Sequence, residues 1–174
     1  KKHRGLGVKF PVMAEYPNHV WAYDFVFDWC ANGRQLKFLT VVDEFTRECL
    51  AVEVDHRMGA RQVCAVLQRL MRQRGVPAFV RCDNGPEFIA KSVTRMLAVK
   101  AVACKHIDPG SPWQNGKNER FNGIFRDECA NMETFHHQAH ARAISQLFKR
   151  YYNTRRPHSS LGYQTPQEFA RRHP

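Results

Sequence analysis

No stretch of this chain is apolar for long enough to cross a bilayer. The longest runs, such as Phe38-Leu-Thr-Val-Val42, fall far short of the ~20 residues a spanning helix needs. No secretory h-region stands near the start. The six cysteines (30, 49, 64, 82, 104, 129) include no Cys-x-x-Cys pair. Most of them sit among apolar neighbours, as reduced buried thiols do. That excludes a disulfide frame and points to a cytosolic protein. Internal repeats and low-complexity tracts are also missing, and acids are scarce, 16 against 27 Lys and Arg.

What is present fits one domain with a proper core, 174 residues and 43% hydrophobic. The net charge of +11 and a pI near 9.7 point to a polyanionic partner, most simply nucleic acid. No basic amphipathic helix carries a bulky apolar face that the core does not need, so no membrane partner is expected. The chain begins with lysine, as a piece of a longer protein would. Residues 1–18 read as a basic N-terminal arm and 19–174 as the domain. His136, His137 and His140 cluster without a third ligand at metal-binding spacing and read as a solvated helix start.

Odd positions from Trp21 to Trp29 are all aromatic, a strict period of two and hence a strand. Asp24 falls on its other face with Ala22, Val26 and Asp28. Asn32-Gly33 supplies a hairpin turn, and strands follow over 35–45 and 48–54. A helix is predicted over 60–74, ended by Gly75 and Pro77. A short apolar strand over 78–82 then delivers Asp83 at its carboxyl end. Beyond it come a helix over 86–100 with Ile89, Val93, Met96 and Leu97 inward, and a fifth strand over 102–107. Two further helices are expected, over 113–129 and over 139–152, the latter with Ile144, Leu147, Phe148, Tyr151 and Tyr152 inward. The capping box Thr165-Pro-Gln-Glu168 starts a last short helix. This order predicts an α/β domain, a mixed five-stranded sheet with helices on both faces.

Three acids from separate elements stand out: Asp24 on the first strand, Asp83 at a strand end, and Glu119 on a helix. Open sheets place ligands at such strand ends. On its helix Glu119 lies ~200° from Phe121 of the apolar stripe and shares its side with Asn115, Asn122 and Arg126, which read as DNA contacts. Gly116 and Gly123 flank that side, so a backbone or phosphate can approach closely. Lys117 and Arg120 border it as phosphate contacts. In a basic protein such a cluster suggests a divalent-metal site acting on phosphate. Two ions about 3.5–4 Å apart activate an attacking oxygen and stabilise a leaving one, and Mg²⁺ needs only a few carboxylates besides waters and phosphate oxygens. Asp43 is a rival if hairpin register brings it beside Asp24. Asp28 is too far along the strand, Glu87 reads as support for a helix start, and Asp108 as a turn residue.

Three motifs carry a resemblance: Asp-Asn-Gly-Pro-Glu-Phe at 83–88, Ser-Pro-Trp-Gln-Asn-Gly-Lys-Asn-Glu-Arg at 111–120, and Tyr-Asn-Thr-Arg-Arg-Pro-His-Ser-Ser-Leu at 152–161. With 35 residues, 84–118, between Asp83 and Glu119, the chain resembles the catalytic core of DDE transposases and retroviral-type integrases, most of all bacterial insertion-sequence transposases, over roughly residues 16–170. The resemblance implies a ribonuclease-H-like fold and roles for Asp24, Asp83 and Glu119 as catalytic, metal-binding acids. It implies two Mg²⁺ ions, replaceable by Mn²⁺, and double-stranded DNA as partner at element ends and target. It further implies a homodimer or higher assembly on DNA and a bacterial cytoplasmic, nucleoid-associated location. The upstream helix-turn-helix region of family transposases is not in this sequence. Trp113 and Gln114 read either as contacts to a splayed base or as a lid anchor. The 152–161 segment has two readings: Asn153, Arg155, Arg156 and His158 contact DNA or brace the active-site helix, or Pro157, Leu161 and the tyrosines simply pack the C-terminal crossing. The loop 109–118, rich in Gly and Pro, is expected to move until metal and DNA bind. An RNA–DNA hybrid nuclease on the same fold and a non-catalytic DNA-binding remnant are the alternatives.

Overall fold

The computed structural model describes residues 12–108 and 110–174. Of the arm expected over 1–18, residues 1–11 therefore lie outside the described residues. Residues 12–18 are tied down: the Val12 carbonyl accepts from Arg81 Nη2 at 2.6 Å, and the Asn18 amide donates to Asp43 Oδ2 at 2.6 Å.

Five strands form one sheet, β1 (Val20–Trp29), β2 (Gln35–Asp43), β3 (Cys49–Asp55), β4 (Phe79–Cys82) and β5 (Ala103–His106), in the order β3-β2-β1-β4-β5. The first three run antiparallel as a meander, while β4 and β5 pair parallel. The sheet is mixed because a hairpin joins β1 to β2, whereas helices carry the chain across to β4 and β5. The helices are α1 (Ala60–Arg74), α2 (Lys91–Val99), α3 (Gly116–Glu128), α4 (Gln138–Thr154) and α5 (Pro166–Arg172).

The alternation of β1 sorts the core in two. Trp21 and Tyr23 face α1 and α2, packing with Leu67, Leu70, Phe88, Val93 and Leu97. Ala22 and Val26 face α3 and α4, packing with Phe121, Phe125 and Phe148. Helices cover both faces, as the order of elements predicts.

Three expectations need correction. α2 begins at Lys91, not 86, because Pro86–Ala90 forms a turn in which Phe88 and Ile89 bond back to the Gly85 carbonyl. Ile89 is consequently 50% exposed rather than inward, and Phe88 fills that place, stacked on Phe25 and edge-on to Tyr23. The helix expected over 113–129 is a 3₁₀ turn, Pro112–Asn115, followed by α3. In α4, Leu147 and Tyr151 point outward, and Ala141, Ser145, Phe148 and Tyr152 form the buried stripe. By contrast the box at Thr165 forms as expected, Thr165 Oγ1 accepting from the Glu168 amide and Glu168 Oε2 from the Thr165 amide.

Candidate active site

β1 and β4 run parallel with Ala22 opposite Arg81. Two residues beyond this pair, on β1 and just past the end of β4, stand Asp24 and Asp83, so neighbouring strands carry the two acids side by side. Strands in a sheet lie ~4.8 Å apart. Asp24 is half-buried in the middle of β1, opposite Thr40 of β2. Asp83 is exposed just beyond β4, and its Oδ1 accepts from the Gly85 amide at 2.8 Å. A Cβ at Gly85 would stand 2.9 Å from that oxygen. Glycine at 85 thus lets the turn fold back under the carboxylate.

The third acid arrives on α3. Asn122 of this helix donates from Nδ2 to Asp24 Oδ2 at 3.2 Å, and its Oδ1 accepts from Thr40 Oγ1 at 2.8 Å. That bridge sets the helix over β1 and β2. Glu119, one turn earlier, shares the side of Asn122 and is exposed. The Asp24 carboxyl is pushed up to about 6, first by burial and then by the charges of Asp83 and Glu119, with Arg126 opposing. The three acids therefore lie in one electrostatic field, and one of them holds its proton more tightly than usual.

Asp43 is no rival. Register places it opposite Trp21 rather than beside Asp24. Fully buried, it accepts from the amides of Asn18, Phe45 and Thr46 and closes a turn. Glu87 pairs with Lys37, and Asp108 bonds the side chain of Gln114.

A buried ion pair fixes the entry to α3. Arg81, beside Cys82 and Asp83, donates from Nε to Glu44 Oε1 at 2.8 Å and from Nη1 to the Gln114 carbonyl at 3.0 Å. Lys117 Nζ stands 3.9 Å from Glu44 Oε2. Arg81 thus ties β4 and the loop before α3 to one anchor. Sequence reading missed Arg81, Glu44 and Thr40. A charged residue in an apolar strand, as Arg81 is in β4, is the signal that was there to read.

Several residues read as DNA contacts serve inside the protein instead. Asn122 is buried with both ends of its amide used on Asp24 and Thr40. Asn115 is buried. The Gln114 side chain closes the loop onto Asp108, donating from Nε2 to Oδ2 and accepting from the Asp108 amide. Arg156 forms a forked pair with Glu128 of α3 at 2.7–2.9 Å, the strongest geometry for this pairing, and braces that helix. Asn153 exchanges hydrogen bonds with the Cys49 backbone, which ties α4 to β3 and not to the active-site helix. Trp113 is 71% exposed, unlike a lid anchor. Arg120, Arg126 and Arg155 are exposed as well.

Behind α3 lies a cavity of about 390 Å³ lined by Arg47, Lys117, Arg120, Tyr152, His158 and Ser159. Its wall holds polar atoms without partners, Arg47 Nη1 and His158 Nε2. Burial, then the charges of Arg156 and other arginines, lowers His158 to about 4. A basic cavity with free donors suits an anion. Arg47 gave no signal in sequence, because only the left-handed turn at Arg47 (φ 63°) brings it to α3.

The family model described as integrase core domain matches residues 14–112, and a second model of the same description matches 100–166. The chain belongs to the integrase core domain family. It is 46% identical, over 90% of its length, to the insertion element IS407 uncharacterized 31.7 kDa protein of Burkholderia multivorans, covering 57% of that protein. It is 43% identical over 98% of its length to the insertion element IS476 uncharacterized 39.2 kDa protein of Xanthomonas euvesicatoria, covering 49%. This chain therefore spans about half the length of these curated relatives. Among solved structures, the HTLV-2 integrase catalytic core domain in complex with magnesium superposes with a TM-score of 0.67 at 16% identity, over 90% of this chain and 99% of that one. The BIV integrase catalytic core domain superposes with a TM-score of 0.69 at 22% identity, over 89% and 95%. The fold is that of integrase catalytic cores, ribonuclease-H-like.

Proposed function

We propose that this chain is the catalytic core of a bacterial insertion-sequence transposase, cutting and joining DNA by in-line phosphoryl transfer. The observation that carries the reading is the convergence of Asp24, Asp83 and Glu119 from β1, the β4 end and α3, with Asn122 tying α3 to Asp24. Carboxylates suit a hard divalent ion, and the mutual repulsion felt at Asp24 is what such an ion relieves. Asp24, Asp83 and Glu119 would hold two Mg²⁺, with Mn²⁺ as substitute. When bound, the ions supply an activated attacking oxygen and a stabilised leaving oxygen.

The chain's own residues do the rest. Asn122 and Thr40 hold Asp24 in one orientation. The turn at Gly85 fixes Asp83. Lys117, Arg120 and Arg47 line the basic cavity behind α3, on the other side of that helix from Glu119, suited to a backbone phosphate of double-stranded DNA. Trp113 offers an exposed ring on which a splayed base can stack. Water is the nucleophile at an element end, and the 3′ hydroxyl it frees attacks target DNA. Assembly as a dimer or higher state on paired ends and a place in the cytoplasm at the nucleoid belong to this reading. Among the described residues no helix is long and apolar enough to cross a membrane.

The test is Glu119→Gln in Mg²⁺-dependent nicking and joining of duplex DNA. Activity is expected to vanish while folding and DNA binding persist. Retained nicking would reject the role of Glu119. Cleavage of an RNA–DNA hybrid in preference to duplex DNA would instead favour a hybrid nuclease.

A further inference from the structure

A second group of metal-capable side chains stands on the opposite face of the sheet from Asp24. Cys82 of β4 and Cys104 and His106 of β5 come together there, the one such trio of Cys, His, Asp or Glu among the described residues whose ligand atoms all lie within 4.8 Å of one another. Parallel register makes it so: Val80 faces Cys104 and Cys82 faces His106, so the three side chains emerge on one side.

Two of the three separations match a tetrahedral ion, and in the third Cys82 Sγ stands 3.7 Å from the other ring nitrogen of His106, Nδ1. Cys82 Sγ is 3.8 Å from Cys104 Sγ, and Cys104 Sγ is 3.4 Å from His106 Nε2. A tetrahedral ion with bonds of about 2.3 Å to sulfur and about 2.0–2.1 Å to nitrogen sets its sulfurs about 3.8 Å apart and sulfur and nitrogen about 3.5 Å apart. The His106 ring is also oriented as a ligand should be. Its Nδ1 lies 3.3 Å from the Asp83 carbonyl, the backbone acceptor that typically steers a metal-binding imidazole. Beside the sulfurs, on β1, stands the hydroxyl of fully buried Tyr23. A water can complete four-fold coordination. Cys104 and His106 are only partly buried, on an edge strand, so an ion has a way in.

We propose that Cys82, Cys104 and His106 form a binding site for Zn²⁺, separate from the carboxylate site in position and in chemistry. Two thiolates and an imidazole select a borderline-soft ion and discriminate against Mg²⁺, which takes oxygen. Binding releases the thiol protons. The site also reaches the acids: Cys82 is bonded in sequence to Asp83, and His106 holds the Asp83 carbonyl. Zinc there stiffens the end of β4 that presents Asp83. That consequence rests on the proposed function, whereas the binding itself does not.

The test is titration of the reduced protein with Zn²⁺ against a chromophoric chelator, and with Co²⁺ followed by absorption. One equivalent should bind, with sulfur-to-cobalt charge-transfer bands in the near ultraviolet. Cys104→Ser and His106→Gln should each weaken binding at least tenfold and remove or shift those bands. Both positions are partly exposed, which spares the core that Cys82→Ser would disturb. Asp83→Asn and Glu119→Gln should leave zinc affinity unchanged, and millimolar Mg²⁺ should not displace it. Equal binding by wild type and Cys104→Ser, or displacement by Mg²⁺, overturns the site. Loss of nicking in Glu119→Gln reads out the carboxylate site alone, so either proposal can fail without the other.

Discussion

Each face of the sheet is covered by two helices, yet the two cores are built differently. Against α1 and α2 the buried side chains are almost all hydrocarbon, sulfur or aromatic ring. Against α3 and α4 the aromatic cluster of Phe121, Phe125 and Phe148 gives way toward the acids to Thr40, Asn118 and Asn122. Asn118 is fully buried with neither end of its amide paired, which costs on the order of 1–3 kcal/mol. One face is arranged for burial, and the other gives up stability to hold an acid where it is needed. The single strand β1 serves both, since Trp21, Tyr23 and Phe25 enter the first core while Phe27 and Trp29 stay exposed, and Asp24 stands among the even residues.

If that division is right, substitutions on the two faces should separate activity from stability. The largest effect is expected at the acids. Asp83→Asn, an isosteric change of an exposed side chain, should lower Mg²⁺-dependent nicking by about 10³-fold or more, about 4 kcal/mol of barrier, with the melting temperature nearly unchanged. Nicking within tenfold of wild type would remove Asp83 from the site. Next comes Leu67→Ala on the hydrocarbon face, fully buried in α1. It should cost about 2–5 kcal/mol by denaturant titration and leave the rate per folded molecule intact. A lost rate in the folded fraction would show that the first face is not independent of the chemistry. Smaller again is Thr40→Val, which removes the donor to Asn122. It should cost about 1–3 kcal/mol and also reduce the rate, because α3 and Asp24 lose a shared anchor. A change in stability without one in rate would make the bridge merely structural.

The same two faces explain what could be read in advance. The period of two in 21–29 carries the sheet and the side on which Asp24 falls, because alternation is imposed by the pleat alone. α1 and the Thr165 box were legible for similar local reasons. The turn at 86–90 was not, since Phe88 and Ile89 are equally apolar and only the stacking of Phe88 on Phe25 and Tyr23 decides which goes in. Asn122 was placed on the right side of α3 and given the wrong partner: spacing fixes a face, but whether it meets solvent or a strand is a tertiary matter. Arg47, and the Cys82, Cys104 and His106 trio, depend on contacts between segments far apart in sequence, which no motif records.

The finest discrimination comes from pH. The folded state raises the Asp24 carboxyl from 3.8 to about 6, so it binds that proton more tightly than the unfolded chain does. Sign follows directly: this group's contribution to stability is fully present below pH 3.8 and is lost as pH rises through about 6. At ~1.4 kcal/mol per unit the shift corresponds to about 3 kcal/mol, and partial solvent screening reduces it to about 1–2 kcal/mol. Without divalent metal, Asp24→Asn should remove this term and flatten the stability profile between pH 4 and 7. Adding Mg²⁺ at pH 7 should restore stability to wild type by replacing the proton with a cation, and should do little for the variant. Urea titrations at pH 4 and 7, with and without Mg²⁺, measure all four cases. Parallel wild-type and Asp24→Asn profiles would mean that neither burial nor the neighbouring acids tighten the Asp24 proton, and the contrast between the two faces would then rest on packing alone.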